Sequence, residues 1–219
     1  MRKLSIIIPC YNEAKTLREL LRRVLNAPFP GWDKEIIIVD DGSFDGTREI
    51  LKEYESQFKV IYQKKNEGKG TAVRHGLEKA TGQYVVIQDA DLEYDPSEIG
   101  RLLRPIEKGQ AEVVYGSRVL GHKQHGRVLL RSGVWVLTKL INTLYGLSIT
   151  DACTCYKLFP REASDAFVGG GFESDILLGP ALARRGYRFA EVPISYQPRS
   201  IAEGKKIRYR DGIYAIFAI

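Results

Sequence analysis

The sequence predicts an α/β fold, a mostly parallel sheet flanked by helices within a single domain. Three observations carry this. Short runs rich in β-branched residues alternate with stretches of helical periodicity. The runs are apolar throughout rather than alternating, the mark of strands buried on both faces. The helical stretches between them are ~11–15 residues long, enough for the crossover of a βαβ unit. A length of 219 residues sits near the size of one large domain, and no linker or repeat interrupts the series.

Each element follows in order. Leu4–Pro9 is the first strand, and Leu17, Leu20, Leu21, Val24 and Leu25 recur on one helix face after it. Glu35–Val39 is the second strand, and Asp45–Glu55 a helix with Ile50, Leu51 and Tyr54 as its apolar stripe. Phe58–Tyr62, the helix Lys69–Ala80 and the strand Tyr84–Gln88 continue the alternation. Asp95-Pro96-Ser97-Glu98 reads as N-cap, N1 proline and N3 glutamate, so a helix starts there. Val113–Tyr115 is a further strand, Val128–Leu147 a long apolar segment broken by Arg131 and Lys139, and Ser174–Arg185 a helix. The chain ends on the apolar run Gly212–Ile219, which suggests a truncated chain or one trimmed before a membrane segment.

Composition excludes several classes. Lys and Arg number 33 against 27 Asp and Glu, a formal charge of +6 that is moderate and calls for no nucleic acid. No run of ~18 apolar residues exists to span a bilayer, and the apolar stretch before Pro9 is too short for a signal peptide. Cys10, Cys153 and Cys155 are odd in number and read as reduced thiols, placing the protein in the cytoplasm or on a membrane's cytoplasmic face. Gly68-Lys69-Gly70-Thr71 lacks the spacing of a P-loop, and no G-x-G-x-x-G follows the first strand.

Ligands of open α/β sheets bind beyond the carboxyl ends of the strands. Those ends read Pro9-Cys10-Tyr11-Asn12-Glu13, Asp40-Asp41-Gly42-Ser43, Asn66-Glu67-Gly68-Lys69-Gly70 and Asp89-Ala90-Asp91-Leu92-Glu93. Acids dominate this edge. Asp89, Asp91 and Glu93 at i, i+2 and i+4 fall on one side of an extended backbone, and clustered carboxylates of this kind suit Mg²⁺ or Mn²⁺ with substrate phosphates. His122-x-x-His125 has no further zinc ligand nearby.

The order Pro-x-Tyr-Asn-Glu, Val-Asp-Asp-Gly-Ser, Glu-Gly-Lys-Gly, Asp-x-Asp and Gly-Ser-Arg resembles family 2 glycosyltransferases of GT-A (Rossmann-like) fold, in the branch of dolichol-phosphate mannose synthases and related polyprenyl-phosphate glycosyltransferases. The resemblance runs from Leu4 to about Gly212. It implies a nucleotide-sugar half at about 1–115 and an acceptor half at about 116–219. Pro9, Tyr11, Glu13, Val39 and Asp41 would hold the nucleoside, with Lys69 and the Asp89-Ala90 segment also on the donor. Asp91 would bind the metal, with Asp89 and Glu93 in its shell. Arg118 and Arg131 match arginines at the acceptor phosphate. Lys205, Lys206 and Arg208 lie in a segment expected over the donor diphosphate.

The implied reaction is inverting, metal-dependent transfer from GDP-mannose or UDP-glucose/UDP-hexosamine to a dolichyl or undecaprenyl phosphate. Asp151-Ala152-Cys153-Thr154-Cys155-Tyr156-Lys157 departs from the mannose-synthase pattern, which leaves the donor open. A phosphate monoester is largely dianionic near neutral pH, with a second pKa ≈ 6, and needs little base help, whereas a sugar hydroxyl needs a carboxylate. Asp175 stands where hydroxyl-using relatives keep a base, so base, structural and acceptor-orienting roles all stay open for it. Two alternatives remain: a transferase acting on a sugar hydroxyl in polysaccharide or lipopolysaccharide synthesis, and an inactive nucleotide-sugar-binding module. From Val113 to Thr150 the charged residues are Arg118, Lys123, Arg127, Arg131 and Lys139 with no acid, interleaved with Trp135 and leucines. That pattern suits a peripheral bilayer contact.

Overall fold

In the computed structural model, which describes residues 1–121, 128–171 and 173–199 but not the side chains of 128–131, seven strands form one sheet in the order β3-β2-β1-β4-β6-β5-β7. The strands are β1 (Arg2–Cys10), β2 (Trp32–Asp40), β3 (Lys59–Tyr62), β4 (Tyr84–Ile87), β5 (Val113–Ser117), β6 (Lys157–Pro160) and β7 (Phe189–Pro193). The helices are α1 (Leu17–Asn26), α2 (Thr47–Lys52), α3 (Lys69–Lys79), α4 (Ile99–Glu107), α5 (Val128–Tyr145) and α6 (Glu173–Arg184). The expected α/β architecture holds, with two additions. Strands β6 and β7 fall outside the sequence expectation, and β6 runs antiparallel to both β4 and β5.

The apolar runs behave as strands covered on both faces. Leu4, Ile6, Ile7 and Ile8 of β1 and Ile37, Ile38 and Val39 of β2 are fully buried. Leu17, Leu20, Leu21 and Val24 of α1 bury the face that their spacing predicts. Helix α2 is shorter than the apolar stripe suggests, because residues 53–57 leave it as turns. The start at Asp95 is as read: its Oδ1 accepts from Ser97 N at 2.9 Å, capping a short 3₁₀ turn, Pro96–Glu98, that leads into α4. Pro9 lies in β1 beyond the last residue paired with β4, where its missing N–H leaves no ladder bond unmade.

Topology decides where the loops meet. Strands β1, β2, β3 and β4 are parallel, and β5 and β7 are parallel to each other. Since β6 opposes both β4 and β5, β5 points the same way as β4. One edge therefore collects the carboxyl ends of six strands and the entry into β6. It gathers residues near 10–13, 40–43, 63–69, 88–93, 117–118, 151–156 and 194–199. The sequential order reverses between β1 and β4, the switch point where open sheets place their ligands.

Candidate active site

Three loops are laced together on the β1 and β2 side of this edge. Asn12, in the left-handed region at φ 52°, accepts from Phe44 N at 2.9 Å and donates its own N–H to Ser43 Oγ at 2.9 Å. Glu13 N donates to Thr47 Oγ1 at 2.9 Å. Asp41 accepts from Glu67 N at 2.7 Å and Gly68 N at 3.0 Å, so it ties the second loop to the start of α3. Burial pushes the Asp41 carboxyl up, and those two amides only partly counter it. Gly42, at φ 76°, is required here, since a Cβ would lie 2.5 Å from the Lys65 carbonyl carbon. Tyr11 is half-buried with its ring edge-on to the exposed Phe44, centroids 6.1 Å apart. Pro9 and Val39 are buried beneath this rim.

The acidic segment after β4 divides in two. The extended backbone that would align its carboxylates ends at Ile87, and Leu92 turns into the left-handed region at φ 62°. Asp89 therefore faces α3, where its Oδ1 lies 2.7 Å from Lys69 Nζ. Asp91 and Glu93 turn instead to Arg199, which follows β7. Arg199 Nη2 donates to Asp91 Oδ2 at 3.0 Å and to Glu13 Oε1 at 3.2 Å, and Nη1 donates to Glu13 Oε2 at 3.0 Å. The Arg199 N–H donates to Glu93 Oε1 at 2.9 Å, and the Tyr196 hydroxyl to Glu93 Oε2 at 2.5 Å. Ala90, buried between the two acids, accepts from Thr16 Oγ1 at 2.8 Å. Burial, with Asp89 and Glu93 nearby, raises the Asp91 carboxyl to about 7 even against Arg199.

Glu13 and Asp91 thus share one guanidinium by hydrogen bonds, and Glu93 stands 3.8 Å from its Nε. Their all-oxygen donor chemistry fits a hard divalent cation, although no cluster of three or more His, Cys, Asp or Glu among the described residues is arranged to hold one. Asp91 and Glu93 are brought together as the sequence expects, and Asp89 is directed away from them.

A second buried pair lies beside the first. Arg118, just after β5, clasps Asp151 through Nε at 2.7 Å and Nη2 at 2.8 Å, and its backbone N–H adds a third bond at 3.1 Å. Burial would raise the Asp151 carboxyl, but Arg118 outweighs it and holds it below the usual range. Tyr196 covers this guanidinium at 5.0 Å. Lys69 Nζ also reaches Asp175 Oδ2 of α6 at 2.8 Å and Cys155 Sγ at 3.7 Å. Burial would lower the Lys69 ammonium, but Asp175 and Asp89 keep it well above its ordinary value.

The sequence reading did not single out Arg199, Tyr196 or Lys157, nor assign Asp151 a role at the site. Arg199 lies 186 residues from Glu13, and only the sheet topology joins them. The side chain of Arg131, and Lys205, Lys206, Arg208, His122 and His125, lie outside the described residues.

The sequence model of Glycosyl transferase family 2 matches residues 5–167. A dolichol-phosphate mannosyltransferase of Pyrococcus furiosus is 42% identical over 210 residues, covering 93% of this chain and 59% of that protein. An undecaprenyl-phosphate 4-deoxy-4-formamido-L-arabinose transferase of Pseudomonas fluorescens is 32% identical over 207 residues, 92% of this chain and 59% of its own length. The chain thus spans about three-fifths of these curated relatives. Among solved structures, glucosyl-3-phosphoglycerate synthase of Mycobacterium tuberculosis with uridine diphosphate superposes at a TM-score of 0.74 with 21% identity, over 98% of this chain and 78% of that one. Its complex with Mn²⁺, uridine diphosphate and glucosyl-3-phosphoglycerate gives 0.70 with 21% identity, over 92% and 74%. The motif order along the strands, the sheet they build and the extent of the match agree, and the chain belongs to glycosyl transferase family 2.

Proposed function

We propose that this chain is the catalytic part of an inverting, metal-dependent glycosyltransferase that moves a sugar from a nucleoside diphosphate to a polyprenyl phosphate. The observation that carries the reading is the convergence of acids on Arg199 at the carboxyl edge of the sheet, Glu13 and Asp91 bonded to its guanidinium and Glu93 3.8 Å from its Nε. A bound Mg²⁺ or Mn²⁺ supplies charge that stabilises the diphosphate leaving group. Asp91 and Glu93 would hold it, with Asp89 beside them. Tyr11 and Asp41 flank the nucleoside, with Pro9 and Val39 beneath. The relatives named for dolichol-phosphate and undecaprenyl-phosphate support a lipid phosphate as acceptor. Arg118 and Arg131 are assigned to that phosphate, and Lys205, Lys206 and Arg208 to the donor diphosphate.

The acceptor needs a membrane surface. No described helix is long and apolar enough to cross a bilayer. Helix α5 instead exposes Trp135, Val136 and Leu144 beside the exposed Lys139, an apolar and basic face suited to peripheral contact with anionic lipid.

The test is a thermal-shift screen of UDP- and GDP-sugars with Mn²⁺, followed by radiolabel transfer to a short polyprenyl phosphate. A donor should raise the melting temperature only with metal, and Asp91→Ala should abolish both that shift and transfer. Full activity in that variant sinks the metal assignment, and transfer to sugar hydroxyls alone sinks the acceptor.

A further inference from the structure

The group centred on Lys69 is not explained by donor contact. Lys69 is the first residue of α3, where the helix dipole disfavours a cation, and its side chain is only 15% exposed. Its ammonium has three donors. They face Asp89 Oδ1 at 2.7 Å, Asp175 Oδ2 at 2.8 Å and Cys155 Sγ at 3.7 Å. Asp175 lies in the first turn of α6, where a carboxylate is favoured.

The two helix starts are locked against each other. A Cβ on Gly70 would lie 2.3 Å from Ser174 Oγ and 2.8 Å from the Gly170 carbonyl carbon, and Thr71 N donates to Gly170 O at 3.3 Å. The backbone at Gly70 is therefore packed directly against the start of α6, which holds the Lys69 and Asp175 main chains close together. The second oxygen of Asp175, Oδ1, is itself buried and has no hydrogen-bond partner among the described residues. Lys157, fully buried in β6 with its Nζ donating to Thr154 O, adds a second cation felt by the same carboxylate.

We propose that Asp175 and Lys69 form a rigid brace that fixes the position of Asp89, so that Lys69 is a positioning residue and Asp175 is no proton acceptor for the substrate. This rests on the proposed function, in which Asp89 belongs to the donor site. A general base must present a free oxygen within hydrogen-bond reach of the proton that it takes. In the ligand-free structure Asp175 Oδ2 is paired with Lys69 and Oδ1, although unpartnered among the described residues, is enclosed. The acceptor class that follows is one already ionised at working pH, as a phosphate monoester is. Lys69 acts on the donor through Asp89, which it would otherwise leave as a half-buried carboxylate close to Asp91.

The test combines binding, kinetics and stability in the full chain. Calorimetry with Mn²⁺ plus UDP, and with Mn²⁺ plus GDP, gives nucleotide affinity for the wild type, Asp175→Asn, Lys69→Met and the double variant. The brace predicts that Asp175→Asn weakens nucleotide binding and raises donor KM about tenfold, on the order of 1.4 kcal/mol, with kcat changed less than about threefold. It also predicts that the double variant binds no more weakly than Lys69→Met alone, because both changes break one device. Loss of kcat by about a hundredfold or more in Asp175→Asn with unchanged affinity would overturn it and make Asp175 the base. Additive effects would overturn it too. Thermal unfolding without nucleotide separates this from the donor assignment. The Lys69–Asp175 coupling persists in the melting temperatures even if no nucleotide binds the wild type, and its absence overturns the brace alone.

Discussion

Asp151→Asn probes the most enclosed ion pair of the candidate site. Asp151 is wholly buried and accepts three hydrogen bonds from Arg118, two through the guanidinium fork and one from the backbone. Asparagine keeps the shape but removes the charge, and its amide nitrogen turns a donor toward a donor. Breaking one side of a buried pair costs about 3–5 kcal/mol. Arg118 retains 19% side-chain exposure, so water relieves part of this and a loss of about 3 kcal/mol is expected. For a chain of this size that lowers the melting temperature by roughly 6–12 °C. Circular dichroism melts at pH 7 measure it. The folded-state pKa of Asp151 lies below its ordinary value because Arg118 outweighs burial. The pair's contribution is therefore complete above the unfolded pKa of about 3.9 and fades as pH falls below it. The gap between wild type and Asp151→Asn should narrow over that window. A cost under about 1 kcal/mol at pH 7, or a gap independent of pH, would refute the reasoning.

Three further expectations follow from named side chains. Arg199→Ala leaves Glu13, Asp91 and Glu93 without their shared cation, so the ligand-free protein should melt a few degrees lower in chelator and gain more from Mn²⁺ than wild type does; equal gains in scanning fluorimetry would show that Arg199 holds no cation site. Glu35 is drawn down to about 2 because Lys59, Ser5 and Thr81 outweigh its burial. Its stabilisation is full above an unfolded pKa of about 4.3 and is lost as pH falls through about 2, so Glu35→Gln should cost on the order of 1 kcal/mol at pH 7 and progressively less as pH falls toward and below 2 in urea titrations. Gly70→Ala drives a methyl group into Ser174 Oγ and the Gly170 backbone, and should cost at least about 2 kcal/mol; adding Ser174→Ala should not restore the melting temperature, since the backbone clash remains.

The sheet was legible where burial was symmetrical. Strands β1, β2 and β4 are runs of Ile, Val and Leu that bury both faces, and their residues announce them without help from the rest of the chain. Strand β6 was not legible because its first residue is Lys157, a polar signal that the fold buries by turning its ammonium back onto Thr154 O. Strand β7 was missed because Phe189 to Val192 are half-exposed on the sheet edge and carry no clear period. The acid-rich edge was legible from the carboxylates that follow buried strands. Its division was not: the left-handed turn at Leu92, a residue type that seldom adopts it, separates Asp89 from Asp91. Nor does any local pattern mark Arg199 among the other basic residues of its stretch, since its partners come from loops after β1 and β4.

The placement of cations separates fixed charges from exchangeable ones. Asp89 is matched by Lys69, whose backbone opens α3 and whose neighbour Gly70 is wedged against the residues before α6. Asp151 is matched by Arg118, which directly follows β5. Moving either cation disturbs the sheet edge itself. Arg199 is different, because it stands six residues past the end of β7, in a segment that carries one isolated bridge at Tyr196 rather than a strand ladder. It is joined to the sheet edge by Gln197 N donating to Glu93 O, by its own N–H on Glu93 and by its guanidinium. Displacing that guanidinium costs the contacts to Glu13 and Asp91 and leaves every strand intact. A divalent cation that takes over Asp91 and Glu93 returns more charge to the same oxygens than the guanidinium gave them. The Asp91 side of the Asp-x-Asp segment is thus held by a contact that no strand depends on and the Asp89 side by one tied to two helix starts, which makes the two aspartates unequal in the ligand-free structure.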